Sequence, residues 1–529
     1  MSERRPAEGS CIVRTGSGLP LLAAALFTAA SPGLQAQVTT VACASKVGER
    51  QSCPADTSAG VAIQRSTGDA ACLLGKTWGY DDAGVWVKDG CAGEFVLGQA
   101  AARGADASAP PTPESEKAHS AAPPKRTPSS RIESWGDFEP GEGFLVGRSS
   151  VGELSISAYA LVRWIDQRPA GQTFTDHLGN THPVDARNDI FAHRAMLFVK
   201  GWLGTPKLIY TVLFWTVNTT DQKGIFPILG YQFGRKFSLY AGLNGLPGTR
   251  SIQGSHPYWL APDRVMTDEF FRPYFTNAVW AQGEVLPGLW YNAVLGNNNS
   301  SLGIKASDLD RKFSYGGSVW WMPTTQEFGP RGGYGDWEGH EKVATRFGIG
   351  AVKSPENRQT TSDTGPPNNT TLRLADSLNV FDEGSLAPGV SVRSVDYRVL
   401  SVDAGVKYRG FFLQAEYYNR WLDKFQSDGP LPVGRIHDQG FYVQAAFYPV
   451  PKRLELYAAT SQVFGDEDAG FDGSSEYLGG ANFYPTNSRN HRVNAQVMQV
   501  NGSPVSSTFG YYVGGQKGVT YSAALSIYF

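Results

Sequence analysis

Long apolar runs, charge and sulfur are all scarce in this chain of 529 residues. Beyond residue 36 it has no apolar run of about eighteen residues, and its mean hydropathy is -0.28. A bundle of membrane-spanning helices is therefore excluded. Asp, Glu, Lys and Arg make up 18% of the residues, against about a quarter in ordinary globular domains. With 47 bases against 49 acids the net charge is -2, so nucleic acid, which needs a basic face, is not expected as a partner. There are 5 Met, 5 Cys and 8 His. None of the histidines (His119, His177, His182, His193, His256, His340, His437 and His491) lies in an H-E-x-x-H or G-x-S-x-G context, and neither a P-loop nor a dinucleotide fingerprint occurs. No enzymatic activity, metal or cofactor is expected. His193, beside Arg194, and His437, beside Asp438, read as ordinary polar residues.

Glycine and aromatic residues, by contrast, are abundant: 61 Gly, and 28 Phe, 23 Tyr and 13 Trp that together make 12% of the chain. That composition suits a β-barrel whose two faces alternate, and the N-terminus supplies a compartment for one. Arg4, Arg5 and Arg14 precede the apolar stretch Leu19-Pro-Leu-Leu-Ala-Ala-Ala-Leu-Phe27, and small residues end at Gly33-Leu-Gln-Ala36. Residues 1–36 thus read as a cleaved export signal, the stretch being too short to span a bilayer. Cys11 falls inside it and does not indicate a lipid anchor. Cys43, Cys53, Cys72 and Cys91 remain. An even number in one short region of an exported chain implies two disulfides, with three pairings open. A zinc site is disfavoured because no C-x-x-C pair occurs among them.

These cysteines mark residues 37–99 as a small Cys-rich module, with strand-like runs at Val61–Arg65 and Gly84–Lys88. A domain of this size buries little core, so the bridges supply part of its stability. Trp78, Tyr80 and Trp86 could stack on a glycan or cell-wall ligand, but they suit the core of a small domain better. Of the 31 residues 100–130, nine are Ala, six Pro and five Ser, and none is aromatic. This composition reads as a disordered linker.

From 131 to 529 the pattern has period two. Leu154, Ile156, Ala158, Ala160, Val162 and Trp164 alternate with Ser155, Ser157 and Arg163; Leu400, Val402, Ala404, Val406 and Tyr408 alternate with Ser401, Asp403, Lys407 and Arg409. Phe411, Leu413, Ala415 and Tyr417 oppose Gln414, Glu416, Tyr418 and Arg420, and a similar phase runs through Phe441–Tyr448. Soluble sandwiches alternate too. Two further signs point to a membrane barrel: paired aromatics at segment ends (Trp320-Trp321, Tyr417-Tyr418, Tyr511-Tyr512) as candidate interfacial girdles, and a final segment with Tyr521, Ala523, Leu525, Ile527 and Phe529 in phase. Phe529 is then the terminal residue of the closing strand. The expectation is an all-β chain, an antiparallel transmembrane β-barrel of about 16 strands (14 to 18 by length), behind the disulfide-stapled module and its Pro/Ala-rich linker.

Five phrases occur in order: Ala192-His-Arg-Ala-Met-Leu-Phe-Val-Lys-Gly201, Tyr231-Gln-Phe-Gly-Arg-Lys236, Gly410-Phe-Phe-Leu-Gln-Ala-Glu-Tyr417, Gly440-Phe-Tyr-Val-Gln-Ala445 and Gly479-Gly-Ala-Asn-Phe-Tyr-Pro485. Through them, most of 131–529 resembles the phosphate-selective porin O/P family. The Cys72–Cys91 region resembles a small module of unknown function found in exported bacterial proteins. The porin resemblance implies sixteen strands, a homotrimer, and passive diffusion of anions past a constriction formed by an infolded loop. It also implies residence in the outer membrane of a Gram-negative bacterium, with lipid around the barrel and the 37–99 module in the periplasm. One departure is Ala459-Thr460, where the family usually carries an Arg-Tyr pair.

An anion in a narrow polar pore is attracted by Arg and Lys, whose donors replace its lost water. Strand phase turns Arg163, Arg194, Lys200, Lys407, Arg409 and Arg420 inward, since Arg on the lipid face costs roughly 2–4 kcal/mol at mid-bilayer. By the resemblance, the segment holding Arg250, Arg264 and Arg272 corresponds to the infolded loop; solvated loop charges are the alternative reading. Asp263, Asp268, Asp403 and Glu416 offset part of this positive field. The functional expectation is a porin for small anionic or neutral solutes, with modest anion preference. The alternative is an anchoring or glycan-binding protein with a mainly structural barrel.

Overall fold

The computed structural model describes residues 39–97 and 143–529, apart from 58–60, 69, 75, 82, 218–221, 254–256, 300–303, 330–332, 361–365 and 507–510. The expected signal at 1–36 and linker at 100–130 lie outside the described residues. Two compact units are present, one within Met1–Ala121 and the other within Ala122–Phe529.

The first unit holds six strands: β1 (Thr39–Ala44), β2 (Arg50–Cys53), β3 (Val61–Ser66), β4 (Trp78–Asp81), β5 (Gly84–Lys88) and β6 (Ala92–Leu97). They form two three-stranded sheets, ordered β1-β6-β3 and β2-β5-β4. The alternation of β5 sends Val85 and Val87 inward to join Trp78, Phe95, Cys43 and Cys91 in the core. Trp78 lies 4.8 Å from Phe95, ring centre to ring centre. Gly84, at φ 134°, turns the chain where any Cβ would strike the Cys53 carbonyl. The bridges join Cys43 to Cys53 and Cys72 to Cys91.

The second unit is a closed antiparallel barrel. Its strands are β7 (Phe144–Ser149), β8 (Gly152–Pro169), β11 (Asn188–Leu203), β12 (Thr205–Val217), β13 (Gln222–Gly234), β14 (Phe237–Gly245), β15 (Phe275–Leu286), β16 (Leu289–Gly296), β17 (Ser314–Trp321) and β18 (Ala344–Asn357), followed by β19 (Val392–Tyr408), β20 (Phe411–Ser427), β21 (Arg435–Val450), β22 (Leu454–Phe464), β23 (Ser474–Phe483), β24 (His491–Asn501) and β25 (Lys517–Tyr528). A side hairpin, β9 (Thr173–Thr175) with β10 (Thr181–Pro183), stands outside the ring. β25 pairs with β8 from Gly518–Pro169 to Tyr528–Tyr159, and β7 continues the same edge from Phe144–Ile156 to Ser149–Gly152. These two strands share one position, so the circumference has sixteen. Phe529 seals the junction: it exchanges backbone hydrogen bonds with Ala158 (3.1 and 3.3 Å), and its ring lies 4.8 Å from Phe144.

Alternation along each strand separates the faces. On β8 Ser155, Ser157 and Arg163 are buried inside, whereas Val162 and Trp164 are exposed outside; Leu413, Tyr417, Leu525 and Ile527 are likewise outward. An outer wall of exposed apolar side chains around a polar interior is what a barrel in lipid requires. Most connections at one end are short turns, such as Gly204, 235–236, 287–288 and 409–410, while the other end carries long ones, including 170–187, 246–274, 358–391 and 502–516. Around the turn end an aromatic girdle faces outward: Phe233 and Phe237 (5.4 Å apart), Phe411 and Phe447 (4.3 Å), Phe144 and Phe529, and Trp321, Phe347, Tyr408 and Phe483.

The expected girdle pairs divide differently. Trp321 and Tyr417 face out, but Trp320 and Tyr418 face in, because neighbours on a strand point to opposite faces. Tyr511 and Tyr512 are both buried in the β24–β25 connection.

Candidate functional site

The lumen is the candidate site, and two infolded segments enter it. The first, 246–274 between β14 and β15, carries a short 3-10 turn (Arg250–Ile252) and the helix α1 (Met266–Phe271). α1 has no side-chain cap of its own, and the barrel wall caps it instead. The Met266 N–H donates to Glu476 Oε2 (2.9 Å) and the Thr267 N–H to Ser461 Oγ (3.3 Å), which satisfies donors a helix start otherwise leaves bare. Phe271 stacks on Tyr418 at 5.1 Å, and its carbonyl accepts from Tyr397 Oη at 2.7 Å. Asp263 reaches the other wall, accepting from Arg163 on β8 (2.5 Å) and Arg194 on β11 (3.0 Å), with His193 at 3.8 Å. A bulge between Ala192 and Arg194 lets both His193 and Arg194 face inward.

The second segment, 322–343 between β17 and β18, is a long connection at the turn end. Lys407 Nζ, fully buried, donates to the carbonyls of Phe328 and Gly333, both at 2.7 Å. The Tyr334 N–H donates to the Tyr258 carbonyl (2.7 Å), which joins the two infolded segments, and the Tyr334 and Tyr442 hydroxyls are 3.1 Å apart. His340 bridges Asp336 and Glu327; the hydrogen bonds to these two carboxylates hold its ring proton and push its pKa up to about 9.

These contacts locate the basic residues singled out from the sequence. Arg163 and Arg194 share Asp263. Arg250 has no exposed surface; its N–H donates to Glu416 Oε1 (2.9 Å), and its guanidinium lies 3.9 Å from Asp403 and 4.9 Å from the Tyr334 ring centre. Arg264 lies over Trp259 (4.2 Å) and 3.4 Å from Asp268, while Arg272 forks onto Glu269 (2.9 and 2.6 Å). Arg420 forks onto Asp438 (3.0 and 2.6 Å) under Phe270, and Lys200 is buried on the inner face of β11. Arg409 does not face the lumen. It is the first residue of the two-residue Arg409-Gly410 turn, with φ 48° and 86°, and the reversal takes it off the strand into solvent.

Sequence phase alone did not reveal two further features. Arg346, fully buried, donates to Asp403 at 3.0 Å. Ser238, Gln282, Asn292 and Ser318 form an inward row at one register on β14 to β17. Both amide atoms of Gln282, the Asn292 Oδ1 and the Ser318 Oγ have no hydrogen-bond partner among the described residues. Buried polar groups need partners, and a hydrated lumen supplies them. Above the loop end, His182, Arg187, Phe191, Arg373, Asp382 and Tyr512 line a cleft of about 590 Å³. In the first unit Trp78 is core, whereas Tyr80 is 43% exposed and Trp86 lies on the outer sheet face with Arg50 4.5 Å above its ring.

A family model described as "Protein of unknown function (DUF3011)" matches residues 26–124. No curated protein matches the chain. Among solved structures it is similar to outer-membrane expressed OmpT of Vibrio cholerae, at 12% identity and a TM-score of 0.45 over 72% of this chain and 99% of that one. It is also similar to an anion-selective porin from Comamonas acidovorans (12%, 0.42, 71% and 99%) and to the outer membrane channel DcaP of Acinetobacter baumannii (9%, 0.42, 73% and 99%). Likeness at this level adds nothing to what the lumen itself displays.

Proposed function

We propose that the chain is an outer-membrane porin akin to the phosphate-selective O/P family, passing small hydrophilic solutes by diffusion. One observation carries the reading: a closed barrel, apolar on its outer wall, whose interior carries many charged and polar side chains and is crossed by two segments held through ion pairs and hydrogen bonds as well as buried apolar contacts. A purely structural barrel has no need of a charged and partly unpartnered interior, because unpaired buried polar groups destabilise it.

Selectivity follows from the pairing. The lumen's Arg side chains meet Asp263, Asp268, Glu269, Asp403 and Asp438, and the Arg250 backbone N–H binds Glu416, so part of the positive field is offset and the preference for anions is modest. Ala459 faces inward on β22 where the family usually has Arg, which removes one cation from the wall. The barrel's long-connection end is assigned to the outside of the cell and its turn end to the periplasm, together with residues 37–99. The assembly is assigned as a homotrimer. In a liposome-swelling assay the refolded chain should admit small neutral sugars and small anions at similar rates. Liposomes that do not swell around heat-modifiable, folded protein would end the channel reading.

A further inference from the structure

The turn-end segment 322–343 carries a cluster that the channel reading does not use. Asp336, Glu338 and His340 alternate through a turn whose Gly335 and Gly339 adopt φ 75° and 67°. One donor atom from each lies within 4.8 Å of the others. We infer that Asp336, Glu338 and His340 Nδ1 form a binding site for a divalent transition-metal ion.

The supporting shell is already in place. His340 Nε2 lies 2.8 Å from Glu327 Oε1, the arrangement in which a metal-ligating imidazole gives its other ring N–H to a carboxylate. Asp336 Oδ2 accepts the backbone N–H of Gly410 (2.7 Å) and that of His340 (3.1 Å), which leaves Oδ1 to face Nδ1. Glu338 is exposed, so the remaining coordination positions open to water. Three carboxylates surround a single imidazole, and the Lys407 and Arg489 cations act on Glu338. With the imidazole neutral the group keeps one net negative charge, which a dication offsets. Two oxygens and one imidazole nitrogen suit zinc or manganese, whereas calcium takes oxygen ligands.

Asp336 Oδ1 and His340 Nδ1 are hydrogen-bonded to each other. An entering ion forms bonds to both atoms in place of the proton between them, which is released to solvent. Bound there, the ion would fasten the infolded segment at the turn-end mouth.

The test is calorimetric titration of Zn²⁺ into the full-length refolded chain in detergent, in two buffers of different ionisation enthalpy. The expected result is one site per chain that releases about one proton, disappears in His340→Gln and weakens about 10–100-fold in Glu327→Gln. Excess Ca²⁺ should leave it intact. Should the variants misfold, the wild-type chain still answers: Zn²⁺ should protect His340, and not His437, from diethyl pyrocarbonate. Zn²⁺ sites that all survive His340→Gln, displacement by Ca²⁺, or equal labelling of His340 with and without Zn²⁺ would overturn the assignment.

Discussion

Asp263→Asn probes the junction between the first infolded segment and the barrel wall. Asp263 is 5% exposed and offsets part of the charge of Arg163 and Arg194, themselves 2% and 5% exposed, from β8 and β11. Removing one side of a buried ion pair costs about 3–5 kcal/mol, because the buried partners lose that counter-charge. That is enough to free the 257–265 stretch from this wall. The uncovered positive charge also acts on permeating ions. At about 8 Å and an effective dielectric of about 20, a unit charge is worth about 2 kcal/mol, and screening over a Debye length of about 10 Å leaves about 1 kcal/mol. That corresponds to roughly a fivefold gain for anions and a fivefold loss for cations, hence on the order of a 25-fold rise in their permeability ratio. In planar bilayers under a tenfold KCl gradient, the variant should show a reversal potential moved toward the anion limit and a larger unit conductance. A folded variant with unchanged potential and unchanged conductance would refute the junction's role.

Four other outcomes follow from the same contacts. Neutralising Arg264 and Arg272 together, which leaves Asp268 and Glu269 uncompensated, should move the reversal potential toward cations; no movement would show that the 246–274 segment does not line the path. Lys407→Met removes two buried hydrogen bonds from an ammonium donor, each worth about 1.5–3 kcal/mol, and should release 322–343, raising unit conductance and protease cleavage within it. Deleting Phe529 removes its two backbone bonds to Ala158 and its contact with Phe144, and should lower the yield of heat-modifiable barrel in a folding assay. Reducing Cys43–Cys53 and Cys72–Cys91, which close loops of 10 and 19 residues, removes about 3 kcal/mol each from the module. The module's thermal transition should then vanish while the barrel's β circular-dichroism signal persists.

Much of the barrel was legible because period two is a strong signal where one face meets lipid and the other a polar lumen. Arg163 and Lys407 could be assigned an inward direction from flanking apolar neighbours alone. Alternation alone carries Arg409 inward, whereas positive φ values at Arg409 and Gly410 end the strand in a two-residue turn there. Adjacent aromatic pairs do not make the girdle, because alternation lets only one of two neighbours reach lipid; the ring uses residues from different strands, such as Phe233 with Phe237 and Phe411 with Phe447. The infolding of 322–343 is not legible in the sequence, since contacts that bury Tyr334 and Asp336 come from distant strands. Acid partners such as Glu269 for Arg272 lie three residues away and could have been found. The Asp438 partner of Arg420 depends on strand register, which sequence did not supply.

Single-channel recording of the refolded full-length chain in a planar bilayer tests the central claim most directly. The account predicts discrete conductance steps, small for a barrel of sixteen strands because two segments occupy its lumen, with a reversal potential displaced modestly to the anion side. A folded, membrane-inserted barrel that gives no steps, or one that strongly prefers cations, would contradict it.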